Sequence, residues 1–305
     1  MTSRPAPPGN PGLLDQPDPP GQAAQATPGQ PGPILRRPQR VFAGYVLDLD
    51  GTVYLGDELL PGAADTVARI RLAGSRVLFL TNNPLRSAAS YAGRLAALGL
   101  EAAESEVLTP LSVLTAYLAA THPGRRVLTV AEPLVDHTLR AAGIPVTTEP
   151  SAAGVVVVSF DRTFDYGKLL RAFLAVRLHG AAIVATNPDP FCPGPDGGLP
   201  DCAAMLAAVQ ACTGARAEAV LGKPGRQMAE QVRRRLGVPP GEAVMAGDRL
   251  LTDVAMSREL GMTSVLVLSG ATSAAEVERS AVRPDYLIDN IGQLLPSQPE
   301  HGSAT

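Results

Sequence analysis

The 305-residue chain has no tryptophan, and aromatic residues of all kinds make up only 4% of it. That argues against a stacking platform for single-stranded nucleic acid. Cysteine is scarce too: Cys192, Cys202 and Cys212 are three, ten residues apart. They form no C-x-x-C metal clip and no even disulfide set, so reduced thiols in a cytoplasmic protein are expected. No run of about 18 apolar residues occurs, so no membrane-spanning helix is expected. No apolar stretch follows Arg4, and the N-terminus does not read as a secretory signal. A dominant charge is also missing. The net charge of −3 provides no bulk attraction to nucleic acid or to an anionic membrane.

Proline and apolar residues are plentiful, and their distribution divides the chain. Eleven of the 29 prolines fall within residues 1–38, among Gly, Gln and Ala. Such a segment buries too little apolar surface to offset its ordering entropy, so 1–38 is expected to be a disordered tail. Residues 298–305 are expected to be a short C-terminal tail. With 45% apolar residues over the whole chain, the stretch between them suffices for a large core and for two domains.

From Tyr45 onward, short apolar runs alternate with segments of helical spacing. Tyr45-Val46-Leu47 and Arg76 to Leu80 read as strands, and Ala63 to Ala73, Ser87 to Leu98 and Leu111 to Ala120 as helices. A second group follows, with strands at Arg126 to Val130, Gly154 to Val158 and Ala181 to Ala185, and helices at Leu134 to Ala142, Leu169 to Leu178 and Ala203 to Cys212. The first style then resumes, with strands at Ala219 to Leu221, Ala243 to Ala246 and Ser264 to Leu268. Helices at Gln227 to Leu236 and Thr252 to Leu260 separate them. Strand–helix alternation of this kind predicts an α/β fold built on a doubly wound parallel sheet.

Four polar clusters each follow one of these apolar runs. The first is Asp48-Leu49-Asp50-Gly51-Thr52-Val53-Tyr54. Side chains alternate along an extended chain, so Asp48 and Asp50 project to the same side. Two carboxylates so close repel each other unless a cation or hydrogen bonds intervene, and Mg²⁺ with its oxygen ligands is one resolution. The same residue types also build turns and helix caps. Thr81-Asn82-Asn83-Pro84 offers a hydroxyl, amides and loop N–H groups to a phosphate, or a cap to the following helix. Gly222-Lys223-Pro224 supplies a compact cation. In Gly247-Asp248-Arg249-Leu250-Leu251-Thr252-Asp253, Asp248 stands at a strand end, and Asp253 lies about a turn into the next helix. In a doubly wound sheet ligands bind at the carboxyl ends of the strands, so all four clusters are expected to meet in one crevice.

These motifs, in this order, resemble the haloacid dehalogenase (HAD) superfamily and, within it, the NagD-like or p-nitrophenylphosphatase-like phosphatases. The resemblance spans about residues 42–295, and Thr186-Asn187-Pro188-Asp189 is similar to a segment of that subfamily's cap. It implies a Rossmann-like core over 39–124 and 218–297 with an α/β cap inserted at 125–217. It further implies a Mg²⁺-dependent phosphomonoesterase acting on a small phosphorylated metabolite. By position, Asp48 would be the nucleophile and Asp50 the general acid and base. Thr81, Asn82 and Lys223 would bind the phosphoryl group. The metal would be held by Asp48, the Asp50 carbonyl and Asp248, with Asp253 assisting. Asn187 and Asp189 would face the substrate from the cap, and a homodimer is compatible with such caps. Pro200-Asp201-Cys202-Ala203 departs from the Gly-rich turn usual there. A phosphotransferase on the same scaffold and a non-catalytic phospho-acceptor are the alternatives. Retention of Asp50 speaks against halide displacement, and the length and insertion speak against a receiver module.

Overall fold

The computed structural model describes residues 36–192 and 197–297. The expected tail up to residue 35, and the segment 298–305, lie outside the described residues. The chain begins with β1 (Gly44–Asp48), then a small hairpin of β2 (Tyr54–Leu55) and β3 (Glu58–Leu59). Helix α1 (Ala63–Leu72) leads to β4 (Arg76–Leu80), and α2 (Ala88–Ala97) to β5 (Val107–Leu108). Local sequence dictates α2 at both ends. Ser87 Oγ accepts the Ser90 N–H at its start, and Gly99, at φ +89°, follows its last turn in a conformation that other residues resist.

After α3 (Pro110–Thr121) come β6 (Val127–Val130), α4 (Pro133–Ala141), β7 (Val155–Val158), α5 (Tyr166–His179) and β8 (Ala182–Ala185). A second hairpin, β9 (Phe191–Cys192) and β10 (Leu199–Pro200), precedes α6 (Cys202–Thr213). The chain ends with β11 (Ala219–Val220), α7 (Arg226–Leu236), β12 (Ala243–Gly247), α8 (Ala255–Leu260), β13 (Thr263–Val267), α9 (Ala274–Arg279) and β14 (Tyr286–Ile288).

Two wholly parallel sheets result. One has six strands in the order β14-β13-β12-β1-β4-β5, the other four in the order β11-β8-β7-β6. Helical connections cover both faces, which is why β1 and β7 are buried along their full length. The α/β doubly wound fold expected from the alternation is present, together with a second α/β layer.

Two expectations need correction. Ala219–Val220 was assigned to the first sheet, but it pairs in parallel with Val184–Ala185 at the edge of the second. A short apolar run fits either sheet equally well, and only long-range pairing decides. Arg36 also belongs to the folded part rather than to the tail. Its backbone N–H bonds the Leu287 carbonyl at 2.8 Å and its guanidinium the Asp285 carbonyl at 2.8 Å, using backbone groups that the edge strand β14 leaves free.

The described residues form one compact unit. A continuous apolar cluster runs from Val46 and Met245 of the first sheet, through Leu114 of α3 and Val232 of α7, to Val155 and Val157 of the second. The helices between the sheets are thus shared walls. Truncating Leu114 to Ala in this fully buried position should cost about 2–5 kcal/mol, read from denaturant unfolding; a loss well under 1 kcal/mol would show that α3 does not join the two layers.

Candidate active site

β1 is central in the six-stranded sheet, and the chain winds outward from it on both sides, to β5 and to β14. Such a reversal opens a crevice at the carboxyl ends of the strands. The register determines which residues reach it. Asp48 is paired with Leu80 and Leu47 with Ala246, so Thr81 and Asp248 emerge just beyond the two neighbouring strands. Gly51, at φ +84°, turns the chain back beside Asp248. A Cβ there would lie 2.6 Å from the Asp248 Oδ2.

Lys223 arrives from elsewhere. The chain leaves the second sheet at β11 and crosses to the first at Gly222, where a Cβ would sit 2.8 Å from both the Asn187 Cβ and the Asn82 Oδ1. Only glycine permits this approach. Asn82 then fastens the crossing: its Oδ1 accepts the Lys223 N–H at 2.6 Å and its amide donates to the Lys223 carbonyl at 3.1 Å. The Lys223 ammonium, 3% exposed, donates to Asp48 Oδ1 and to Asp253 Oδ1, the latter at 2.7 Å. Burial alone pulls the lysine pKa down, but Asp253 and Asp48 reverse that and leave it raised, so the ammonium stays charged.

Asp253 sits in a π turn, Leu250–Val254, ahead of α8. Its second oxygen accepts the Arg249 N–H at 3.0 Å, so both oxygens are held by protein donors. Asp248 Oδ2 accepts the Ala271 N–H at 2.6 Å, while Oδ1 is buried without any partner. Oxygen atoms of Asp48, Asp248 and Asp253 lie within 4.8 Å of one another. Three carboxylates against one lysine leave this cluster short of positive charge. Burial, followed by the charge of Asp253, pushes Asp248 up to about 6, and burial holds Asp48 well above the usual carboxylate range despite Lys223. An all-oxygen donor set with an orphaned buried carboxylate oxygen and excess negative charge fits a hard divalent cation such as Mg²⁺.

Asp50 lies outside this cluster and lines a cavity of ≈ 490 Å³. Tyr54 donates to its Oδ2 at 3.2 Å. Loss of surrounding water raises the Asp50 pKa, with the Tyr54 hydrogen bond and the Arg94 charge opposing. Asp48 and Asp50 therefore occupy different settings: one anchored on lysine inside the carboxylate cluster, the other set against a phenol in the cavity lining.

The remaining expected residues do not all behave as the motifs imply. Thr81 is buried, its Oγ1 accepting the Asn83 N–H at 3.0 Å. The Asn82 side chain, expected to bind phosphate, is fully engaged. Besides gripping Lys223, it donates to Asp189 Oδ2 at 2.9 Å. Asn187 and Asp189, expected to face substrate, are buried at the junction between the sheets. Asn187 is 0% exposed and donates to Asp189 and to Asp201, both at 3.2 Å. Gly222 packs closely against Asn187, while Asp189 keeps its Oδ1 4.0 Å from the Arg249 guanidinium. Sequence reasoning passed over Tyr54 as an Asp50 partner, and Arg86, Arg94 and Arg162 as cavity walls. Tyr54 lay within the first motif, four residues after Asp50; the arginines carried no local signal.

A family model described as haloacid dehalogenase-like hydrolase matches residues 45–145, and one described as HAD-hydrolase-like matches 220–294. Sugar-phosphatase AraL of Bacillus subtilis (strain 168) is 36% identical over 249 residues, which cover 82% of this chain and 90% of that protein. NagD from E. coli K-12 superposes with a TM-score of 0.75 at 26% identity, covering 83% of this chain and 98% of that one. A glycerol phosphate phosphatase from Mycobacterium tuberculosis, solved in complex with magnesium, gives a TM-score of 0.76 at 32% identity over 83% of this chain and 76% of that one.

Replacing Lys223 by Met should leave clustered buried carboxylates without their cation. Metal-free protein should lose about 3–5 kcal/mol of stability, and added Mg²⁺ should recover part of the melting temperature. An unchanged melting temperature would show that the lysine does not hold the cluster together.

Proposed function

This chain belongs to the haloacid dehalogenase-like hydrolases, in their NagD-like branch, and is a phosphatase; we propose that it hydrolyses small phosphate monoesters with Mg²⁺, through a phosphoryl group carried on Asp48. The observation that carries this reading is the division between the two acids. Asp48 is held by a buried lysine beside two further carboxylates, and Asp50 lines the cavity outside that cluster, accepting a hydrogen bond from Tyr54.

Asp48, Asp248 and the Asp50 carbonyl would hold the metal, with Asp253 helping directly or through water; bound there, Mg²⁺ would draw charge from the phosphoryl oxygens. The protein residues perform the rest. Lys223 pairs with the Asp48 carboxylate and offsets the repulsion between it and an incoming phosphate dianion. A carboxylate oxygen of Asp48 forms a bond to phosphorus as the ester oxygen departs, and Asp50 gives that oxygen its proton, releasing an alcohol. Asp50, now a carboxylate, takes a proton from the water that attacks phosphorus. The bond to Asp48 breaks, inorganic phosphate leaves, and Asp50 is again protonated. Its raised pKa suits the first step, in which it must carry a proton.

The Asn82 N–H and the Thr81 hydroxyl would receive phosphoryl oxygens, and the Asn82 side chain acts by fixing Lys223. The second sheet, residues 125–217 with β11 added, serves as a cap: Leu134 and Arg162 from it close the cavity opposite α2. The relatives named for sugar and glycerol phosphates support small esters as substrates.

With Mg²⁺ the purified protein should hydrolyse p-nitrophenyl phosphate, and chelation by EDTA should abolish turnover until the metal is restored. Asp48→Asn should lower kcat by roughly 10³-fold or more; near-native turnover would remove Asp48 as nucleophile. Asp50→Asn should slow both steps, by about 10²–10⁴-fold in kcat. If release of inorganic phosphate stayed at the wild-type rate in that variant, proton transfer would have to come from another group.

A further inference from the structure

The cavity that opens from Asp50 has an uneven charge. Arg86, Arg94 and Arg162 contribute to its walls, and Asp50 is the one carboxylate among the lining residues. Two of the arginines are backed by acids outside the cavity. Arg94 Nη2 lies 3.2 Å from Asp57, and Arg162 grips Glu132 through Nε at 2.5 Å and Nη2 at 2.8 Å. Arg86, exposed, has no carboxylate partner among the described residues. Three arginines against the single carboxylate of Asp50 give the lining a net positive charge.

Two separate parts of the fold supply these cations. Arg86 and Arg94 come from the loop before α2 and from its exposed face, and Arg162 from the turn after β7 of the second sheet. Guanidinium groups repel one another, and a shared anion offsets that repulsion through forked, charge-assisted hydrogen bonds. Apolar lining is limited to Leu85, Leu134 and parts of two tyrosines, so the cavity offers little to a greasy leaving group. The geometry points to a substrate whose leaving group carries a second anion, a carboxylate or another phosphate, held by Arg86 together with Arg94 and Arg162. This inference rests on the phosphatase reading above, in which Asp50 protonates the leaving oxygen and therefore marks the side on which the leaving group sits.

The test compares kcat/KM of the Mg²⁺-loaded enzyme for four esters: 2-phosphoglycolate, fructose 1,6-bisphosphate, glycerol 3-phosphate and p-nitrophenyl phosphate. At least one of the first two should exceed glycerol 3-phosphate by more than about tenfold, and which of them does so separates a carboxylate from a second phosphate. Arg86→Ala should reduce that preference by roughly 10- to 100-fold, mainly through KM. Arg86→Lys should retain most of it, and Arg86→Glu should invert it. Arg162→Gln should lower it as well, so that a folding defect in one variant does not decide the matter. A preference unchanged by Arg86→Ala, or a wild type that favours glycerol 3-phosphate, overturns the inference while leaving the phosphatase reading intact. A wild type inactive on all four esters overturns both.

Discussion

Burying an ammonium at 3% exposure is costly unless charges of the opposite sign meet it at hydrogen-bonding distance, and Lys223 is met by two, Asp48 and Asp253. The three groups come from three places: the end of β1, the crossing that leaves the second sheet, and the π turn after β12. Their mutual satisfaction ties the layers of the fold together at the crevice. Asn82 holds the lysine backbone from β4, and glycines at 51 and 222 allow the chains to approach. A change at any of these positions is transmitted to Asp48, because the lysine has no room to follow it.

That same triplet explains the unequal treatment of the two aspartates in Asp48-Leu49-Asp50. They point to the same side in an extended chain, but the strand ends at Asp48 and the turn through Gly51 carries Asp50 out of the buried cluster. One acid is ion-paired to a buried lysine inside a cluster of carboxylates; the other stands outside that cluster with a phenol donating to it. The proposed nucleophile and proton carrier are thus separated by two residues and by environment. The positions with buried carboxylates and few partners are the ones where a divalent cation fits, and the cavity beyond Asp50 is where the leaving group belongs.

Much of this was legible in the chain. Helix ends at Ser87 and Gly99 follow from cap chemistry, and the valine run at 155–158 reads as a strand through its β-branched residues. Clusters at Asp48, Thr81 and Asp248 each follow a strand of the first sheet, as their spacing implied. Legibility failed where partners lie far apart in sequence. Ala219–Val220 reads as a strand in any setting, and nothing local assigns it to β8 rather than β1. Asn82, Asn187 and Asp189 carry the residue types of a binding site, yet the two amides are engaged with Asp189 Oδ2, Asp201 and the Lys223 backbone.

By itself the sequence determined the alternation of strands and helices, the identity of the acids and the lysine, and the order in which they are met along the chain. These depend on periodicity and side-chain chemistry, which are local. Tertiary structure alone decided which sheet β11 joins, which polar groups remain available to a ligand, and that arginines 68 and 76 residues apart, Arg94 and Arg86 against Arg162, wall a single cavity beside Asp50. Those depend on pairing and on distance across the fold, and no spacing in the sequence encodes them.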